Sequence, residues 1–149
     1  MSKSRKIALA CDHAAFEMKE MLKAFLQENF EILDLGTEST KPVDYPDYAE
    51  KMGHAIAEKK AEKGILLCGS GVGASIAANK MAGVRAGLCH DSYSAHQGVE
   101  HDHMNVLVLG ARVIGTELAK ELVMTYLNAI ESQEPRHLKR LAKISVLES

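Results

Sequence analysis

Residues 64–75 have the sequence GILLCGSGVGAS, in which an apolar run ends at Cys68 and continues into a loop with three glycines in five residues. The run predicts a β-strand that is buried on both faces, as strands of a parallel sheet are. A helix rich in Ala and Ile is predicted directly after the loop, from Gly73 to Met81. A strand that passes through a short glycine loop into a helix is a typical unit of an α/β sheet.

The same alternation of strand and helix extends over nearly the whole chain. Further strands are predicted at residues 6–11, 31–35, 84–89 and 106–109. Further helices are predicted at residues 18–26, from Pro46 to about residue 56, at 92–100, at 115–128 and, as a basic helix, from Arg136 onward. No linker, repeat or low-complexity tract interrupts the pattern, which predicts one domain over residues 1–149. The predicted fold class is α/β, with one parallel sheet of about five strands and helices on both faces.

The composition argues against several classes of protein. The 149 residues carry a formal net charge of -2 and show no basic stripe, which argues against a nucleic-acid partner. No apolar stretch approaches the ~18 residues that a membrane-spanning helix needs, and the start of the chain lacks the features of a secretory signal. The 3 cysteines have no framework spacing, so disulfides are not expected. A cytoplasmic protein without a membrane partner is the simplest prediction.

Ligands of open α/β sheets bind at the carboxyl ends of the strands, and the first predicted strand ends in Cys11-Asp12-His13. The carboxylate of Asp12 and the imidazole of His13 can orient hydroxyl groups or exchange protons with them. The alternative is that Asp12 only caps the following helix and that His13 has no role. The tripeptide alone leaves both possibilities open.

The loop Gly69-Ser70-Gly71-Val72-Gly73 at the end of the third strand suits an anion. Its glycines let several N–H groups point at one place beside a helix N-terminus. Its spacing matches neither the Walker phosphate motif nor the dinucleotide fingerprint. The same surroundings favour the thiolate of Cys68, which can then act as a base toward a proton beside a carbonyl group. The alternative is a buried structural cysteine, which is the expectation for Cys11 and Cys89.

Two histidines precede the fifth predicted strand, in the sequence His101-Asp102-His103. The His-x-His spacing can belong to a metal site, but no cluster of Cys or His completes a coordination shell. Exposed loop histidines are the alternative. His54 and His96 lie on predicted helices and are expected to face solvent.

Three arginines are candidates for holding an anion. Arg112 follows the fifth strand, where it can reach a ligand at the carboxyl ends. Arg136 and Arg140 are four residues apart on the predicted basic helix, so they share a face, and two guanidinium groups suit phosphate. The alternative is a solvated basic face that includes Lys139 and Lys143.

Five short motifs form a specific combination in this chain. They are Cys11-Asp12-His13, Val43-Asp44-Tyr45-Pro46, Cys68-Gly69-Ser70-Gly71-Val72-Gly73, Ala77-Ala78-Asn79-Lys80 and Asn105-Val106-Leu107. Together they closely resemble the type B ribose-5-phosphate isomerases, a group that also contains galactose-6-phosphate isomerase subunits. The resemblance extends from about Lys6 to about Arg140. It implies a three-layer α/β/α Rossmann-like fold, an enzyme of pentose phosphate metabolism, and no metal or organic cofactor.

The resemblance also implies roles for the candidate residues. Cys68 would move a proton between C1 and C2 of ribose 5-phosphate through an enediolate, and the loop from Gly69 to Gly73 would form the anion hole. Asp12 and His13 would contact the sugar and phosphate end of the substrate. His101 would assist the opening of the furanose ring.

The resemblance further implies a site shared between chains. Arg112, Arg136 and Arg140 would hold the substrate, the last two at its phosphate group. Two subunits build each site in this family, so His101 and Arg112 are expected from the neighbour of the chain that supplies Cys68. The expected assembly is a homodimer or a dimer of dimers, with the basic helix from about residue 136 packing on the partner or on the site.

Two positions bear on which member of the family this chain resembles. Members without the cysteine use a glutamate a few residues later, where this chain has Ala74, so the cysteine-dependent subgroup is favoured. Asp102, a further candidate for substrate binding, occurs where the family usually has asparagine, and it leaves open an allose or galactose 6-phosphate isomerase. A third possibility is a non-catalytic sensor of a nucleotide or sugar phosphate, in which Asp91 binds a ribose hydroxyl.

Overall fold

Five strands form one sheet at the centre of the computed structural model, which describes residues 5–148. They are β1 (Lys6–Cys11), β2 (Glu31–Asp34), β3 (Lys63–Cys68), β4 (Ala86–Leu88) and β5 (Val106–Gly110). Every neighbouring pair is parallel, and the order across the sheet is β2-β1-β3-β5-β4. The central strands β1, β3 and β5 are buried almost throughout, which is why they occur in the sequence as apolar runs.

Six α-helices occur within residues 5–148, and all but the last pack against this sheet. They are α1 (Phe16–Leu26), α2 (Tyr45–Ala57), α3 (Val72–Ala78), α4 (Ser92–Asp102), α5 (Thr116–Asn128) and α6 (Pro135–Val146). The helices α1, α4 and α5 pack on one face, and α2 and α3 pack on the other. The predicted α/β class with helices on both faces is therefore confirmed. Within residues 5–148, no helix has the length and apolar character needed to cross a membrane.

Two elements are shorter by more than one residue in the structure than the sequence pattern predicts. The helix α3 ends at Ala78 instead of Met81, and β4 covers only Ala86–Leu88. The side chain of Asn79 lies between them: its amide donates to the Ala86 carbonyl at 2.9 Å, and its oxygen accepts the Ala86 N–H at 2.8 Å. Asn79 thus takes the place of a neighbouring strand at the open edge of the sheet.

The order of the strands creates a switch point between β1 and β3. The chain passes from β1 to β2 on one side and then crosses to β3 on the other side. A crevice at the carboxyl ends of the strands is expected at such a point. Cys11 of β1 is paired with Leu67 of β3, so the next residues, Asp12 and Cys68, lie side by side at this edge.

A buried ion pair holds the loop between β2 and α2 at the same edge. The side chain of Lys19 on α1 is 1% exposed and donates to Asp34 Oδ1 and to the Thr37 carbonyl, both at 2.8 Å. Burial alone would raise the pKa of Asp34, but hydrogen bonds from Lys19, the Gly36 N–H and Lys23 hold it below its ordinary value. The loop is therefore fixed through the buried Lys19 ammonium group and the partly exposed Asp34 carboxylate.

Replacing Asp34 by alanine is expected to lower the free energy of unfolding by about 2 kcal/mol, because the buried Lys19 ammonium group then keeps only the exposed carboxylate of Glu20, at 3.2 Å, as a counter-charge. Chemical denaturation followed by circular dichroism measures the change. Because folding lowers the pKa of Asp34, this stabilisation is present above the pKa of an unfolded aspartate and is lost as the pH falls through the folded value.

Glu31 provides the matched control on the same strand. It lies 3.6 Å from the Lys6 ammonium group, and its side chain is 58% exposed. The Glu31→Ala change is expected to cost less than about 1 kcal/mol, since exposed ion pairs contribute little. Equal losses of unfolding free energy in Asp34→Ala and Glu31→Ala would show that the burial of Lys19 does not strengthen its ion pair with Asp34.

Candidate active site

Cys68 is the last residue of β3 and is 5% exposed. Its sulfur accepts a hydrogen bond from the Gly71 N–H at 3.2 Å. Gly71 has a φ of +87°, a conformation that favours glycine, and α3 begins at the next residue. The loop therefore turns back toward the strand and directs a backbone donor at the sulfur. A charged sulfur accepts such a bond more strongly than a neutral thiol does.

The other two cysteines have a different environment. Cys11 and Cys89 are buried in the apolar layer between the sheet and α1, α4 and α5. Burial raises the pKa of each of these thiols to about 11. Cys68 belongs to the layer on the opposite face, under α2 and α3. The environments of Cys11 and Cys89 fit the structural role expected of them.

The turn after β5 packs against the glycine loop. The Ala111 N–H donates to the Cys68 carbonyl, and the Arg112 N–H donates to the Gly69 carbonyl, each at 2.9 Å. The guanidinium group of Arg112 also lies against Gly69, where Nη1 would be 3.4 Å from an added Cβ. Arg112 thus lies beside the Cys68 of its own chain. This position favours Arg112 of the same chain over the Arg112 of a neighbouring chain that the resemblance implies.

Asp12 and His13 lie at the same edge, after β1. Asp12 Oδ1 accepts the Ala14 N–H at 3.0 Å, so this carboxylate caps the short 3-10 turn His13–Ala15 that leads into α1. His13 Nδ1 accepts the Val43 N–H at 3.1 Å, which places the ring proton on Nε2. The loop between β2 and α2 therefore orients the imidazole, and a role of His13 in the site stays a prediction.

Two residues to which the sequence analysis assigns no role in the site also lie at this edge. The ring of Tyr45, the first residue of α2, covers Gly73, where an added Cβ would be 2.5 Å from Tyr45 Cζ. His90 Nε2 accepts the Gly110 N–H at 3.0 Å, at the end of β5. Only weak features of the sequence point to these two contacts. Position 73 is a glycine, and His90 is a polar residue two positions after the end of β4.

His101 lies near the opposite edge of the sheet. The helix α4 starts after the carboxyl end of β4 and leads back to the amino end of β5. At a rise of ~1.5 Å per residue, His101 is about 14 Å along the helix from Ser92. Its ring stacks on the ring of His137 from α6, with centroids 4.2 Å apart and an interplanar angle of 27°.

Arg136 shares an open cavity of about 380 Å³ with His101. One of its guanidinium nitrogens, Nη2, lies 2.8 Å from Glu134 Oε2. Arg140 is exposed one turn further along α6. The structure thus brings Arg136 to His101 and keeps both away from the Cys68 of the same chain.

The candidate residues therefore form two groups at opposite edges of the sheet. The Cys68 half-site contains Asp12, His13, Cys68, the loop from Gly69 to Gly73, and Arg112. The His101 half-site contains His101, Arg136 and Arg140. In the described part of the chain, no group of three or more His, Cys, Asp or Glu side chains is placed to hold a metal ion.

Comparisons with known proteins identify the family of this chain. A family model described as Ribose/Galactose Isomerase matches residues 7–144. The chain belongs to this family. It is 45% identical to ribose-5-phosphate isomerase B of Escherichia coli, over 97% of both chains. It is 44% identical to D-erythrulose-4-phosphate isomerase of Pectobacterium atrosepticum, over 83% of this chain and 82% of that protein.

Solved structures of the isomerase family have the same fold. A ribose 5-phosphate isomerase from Thermotoga maritima is 46% identical with a TM-score of 0.93, covering 96% of this chain and 99% of that one. Ribose-5-phosphate isomerase B from Mycoplasma genitalium, solved with bound ribulose-5-phosphate, is 33% identical with a TM-score of 0.91, covering 99% and 98%. The resemblance to the type B ribose-5-phosphate isomerases and the three-layer fold that it implies are confirmed.

Two aspartates of this family member lie outside both half-sites. Asp102 is exposed and lines a depression with Asn79 and Arg85, separate from the cavity that contains His101. Asp91 caps α4, where its Oδ2 accepts the Ser94 N–H at 2.7 Å, and this hydrogen bond holds the pKa of Asp91 below its ordinary value. The structure thus gives Asp91 a capping role and directs Asp102 away from the His101 of its own chain.

Cys68 is expected to react with iodoacetamide faster than the other two cysteines at neutral pH, because thiolate is the reactive form and burial raises the pKa of Cys11 and Cys89 to about 11. Brief labelling of the folded protein, followed by peptide mass spectrometry, measures the three rates. Cys89→Ala should leave the labelling of Cys68 unchanged. Labelling of Cys89 at the rate of Cys68 would show that Cys68 is not the most reactive of the three thiols.

Proposed function

We propose that this member of the ribose/galactose isomerase family is an aldose–ketose isomerase that interconverts ribose 5-phosphate and ribulose 5-phosphate. The Cys68 half-site carries the proposal, since a sulfur with a backbone donor lies there beside a carboxylate, an imidazole and a guanidinium group. The similarity to the ribose-5-phosphate isomerases of Escherichia coli and Thermotoga maritima supports the substrate.

The proposed reaction moves two hydrogens within the open-chain sugar. The thiolate of Cys68 takes the proton from C2 of ribose 5-phosphate and returns it to C1, while a hydroxyl proton passes from O2 to O1. Between these steps the substrate is an enediolate with a negatively charged oxygen. We assign its stabilisation to backbone N–H groups of the loop from Gly69 to Gly73, with the positive charge of Arg112 at the edge of the loop.

A neighbouring chain is needed to complete this site, because the His101 half-site lies at the other edge of the sheet. Apolar side chains around the Cys68 half-site support a contact there. Their exposed fractions are 50% for Val72, 60% for Ile76, 75% for Tyr93 and 59% for Val113. Groups of exposed apolar side chains are typical of protein contact surfaces. A two-fold contact would form two equal sites in a homodimer or a dimer of dimers.

If His101 opens the furanose ring, a substrate that forms this ring needs His101, whereas an acyclic substrate does not. Ribose 5-phosphate closes a furanose ring through its C4 hydroxyl, so this ring must open before C2 can lose a proton. A tetrose 4-phosphate cannot close the same ring, because its C4 oxygen carries the phosphate. The similarity to a D-erythrulose-4-phosphate isomerase makes erythrose 4-phosphate the natural acyclic test substrate.

A hexose 6-phosphate, such as allose or galactose 6-phosphate, is the second candidate substrate, and the family description that includes galactose favours it. A non-catalytic sensor has less support, since the carboxylate of Asp91 is engaged as a helix cap.

Four further expectations stay predictions. They are the cytoplasmic location, the absence of a cofactor, the role of Asp102 in substrate binding and the place in pentose phosphate metabolism.

The purified protein is expected to convert ribose 5-phosphate faster than the hexose 6-phosphates in a coupled spectrophotometric assay. Cys68→Ser should lower turnover at least ~100-fold, because a neutral hydroxyl is a poor base. Calorimetry should show unchanged binding of inorganic phosphate in this variant, and Cys89→Ser serves as the control. Substantial turnover by Cys68→Ser would remove Cys68 as the base, and binding without turnover in the unmodified protein would favour the sensor.

Mixing two inactive variants tests whether the sites are shared between chains. Cys68→Ala and His101→Ala chains that exchange freely should form mixed dimers in half of the cases, and one of the two sites in each mixed dimer has both residues intact. Activity should therefore return to about one quarter of the unmodified level. If mass spectrometry shows exchange and no activity returns, both residues act within one chain.

Arg140→Ala is expected to raise the KM for ribose 5-phosphate about tenfold, because a charge-assisted hydrogen bond to the phosphate is lost. Arg140→Lys should restore part of the loss, since a point charge lacks the planar fork. Lys139 is the control, because it lies about 100° around the helix from Arg140. Steady-state kinetics of the three variants measure the effect, and an equal increase in Lys139→Ala would indicate a general effect of a basic helix.

A further inference from the structure

His137 is the buried residue of an otherwise largely exposed helix. It lies in the first turn of α6 and is 4% exposed, with its ring stacked on that of His101. An apolar side chain would be the ordinary choice for such a contact, since histidine is less often buried than the aliphatic residues are. The contact between α6 and α4 thus includes an imidazole pair, one ring buried and the other half-exposed.

The hydrogen bonds of Ser132 are compatible with the neutral form of His137. The Glu134 N–H donates to Ser132 Oγ at 3.1 Å, and the same oxygen lies 2.7 Å from His137 Nδ1. The serine hydroxyl is then free to donate its proton to Nδ1, which leaves the ring proton of His137 on Nε2. The ring of His137 is therefore held by the hydrogen bond that its Nδ1 accepts from Ser132 and by its stacking contact with the ring of His101.

The charges around His137 favour the same form. Burial lowers the pKa of His137, and the nearby His101, Arg136 and Arg140 lower it further, while Glu134 alone among the main causes raises it. The other groups that face the pair are Glu100, 3.1 Å from His101 Nε2, and Gln97, 2.9 Å from His101 Nδ1. Glu131 and His103 complete the surroundings, with His103 Nδ1 3.9 Å from Glu131 Oε2.

A neutral His137 ring under His101 can stabilise the protonated form of His101. When His101 takes a proton during ring opening, it becomes an imidazolium cation, and the face of a neutral aromatic ring attracts a cation placed over it. A second charged ring at 4.2 Å would repel it instead. We propose that His137 is a positioning residue, a neutral platform that holds the ring of His101 in place for ring opening. This inference rests on the function proposed above for His101.

The platform can be tested with His137→Leu, which removes the flat ring, and His137→Phe, which keeps a ring that never becomes charged. The expected effect of His137→Leu is a tenfold or larger fall in the ratio of kcat for ribose 5-phosphate to kcat for erythrose 4-phosphate. Turnover of the acyclic tetrose shows in the same sample that the protein is folded and assembled. His137→Phe should restore most of the ratio. In proton NMR spectra, the ring-current shift of the His101 ring protons should disappear in His137→Leu and persist in His137→Phe.

His101→Asn separates a failure of this inference from a failure of the proposed function. If His101→Asn lowers the ratio and His137→Leu does not, His137 is not a positioning residue and the role of His101 stands. If His101→Asn leaves the ratio unchanged, ring opening is not performed by His101, and both the inference and that part of the proposed function are wrong. His54→Asn, an exposed change on α2, is the control for both substrates.

Discussion

The parallel pairing of β3 with β1 on one side and β5 on the other is the constraint on which the rest of the site depends. It brings three strand ends together, so that Asp12, Cys68 and the turn that carries Arg112 share one edge. The contact is close at Gly110, where an added Cβ would collide with the Ser70 carbonyl oxygen. A side chain at Gly110 would therefore push the glycine loop away and take its N–H group from the sulfur of Cys68.

The fold could be predicted from the sequence because its central strands are buried on both faces and its helices carry a regular apolar period. The five-residue run that ends at Cys68 is enough to indicate such a strand. The contacts of Tyr45 with Gly73 and of His90 with Gly110 join distant parts of the chain, so local patterns carry no information about them. The position of Arg112 beside the glycine loop of its own chain could not be predicted for a similar reason, because it depends on the backbone hydrogen bonds between the turn after β5 and that loop.

The direction of the crossover helices explains why one chain holds two separate half-sites. Each helix that connects parallel strands leads from the carboxyl edge of the sheet back to the amino edge. A residue at the end of α4, such as His101, is therefore carried away from a residue at the end of β3, such as Cys68. A sheet of this topology can combine the two residues in one site only by placing a second chain at its carboxyl edge. Association is then a condition for the proposed chemistry as well as a source of stability.

The ion pair of Arg136 with Glu134 bears on how the His101 half-site could receive a phosphate. Both partners are largely exposed, 64% and 55%, and such pairs contribute at most about 1 kcal/mol. A phosphate dianion forms stronger, charge-assisted hydrogen bonds with a guanidinium group, so it can displace the carboxylate at small cost. The glutamate would therefore keep the side chain of Arg136 oriented while the site is empty without competing strongly for it. Arg140, which forms no ion pair within residues 5–148, would meet the phosphate without such an exchange.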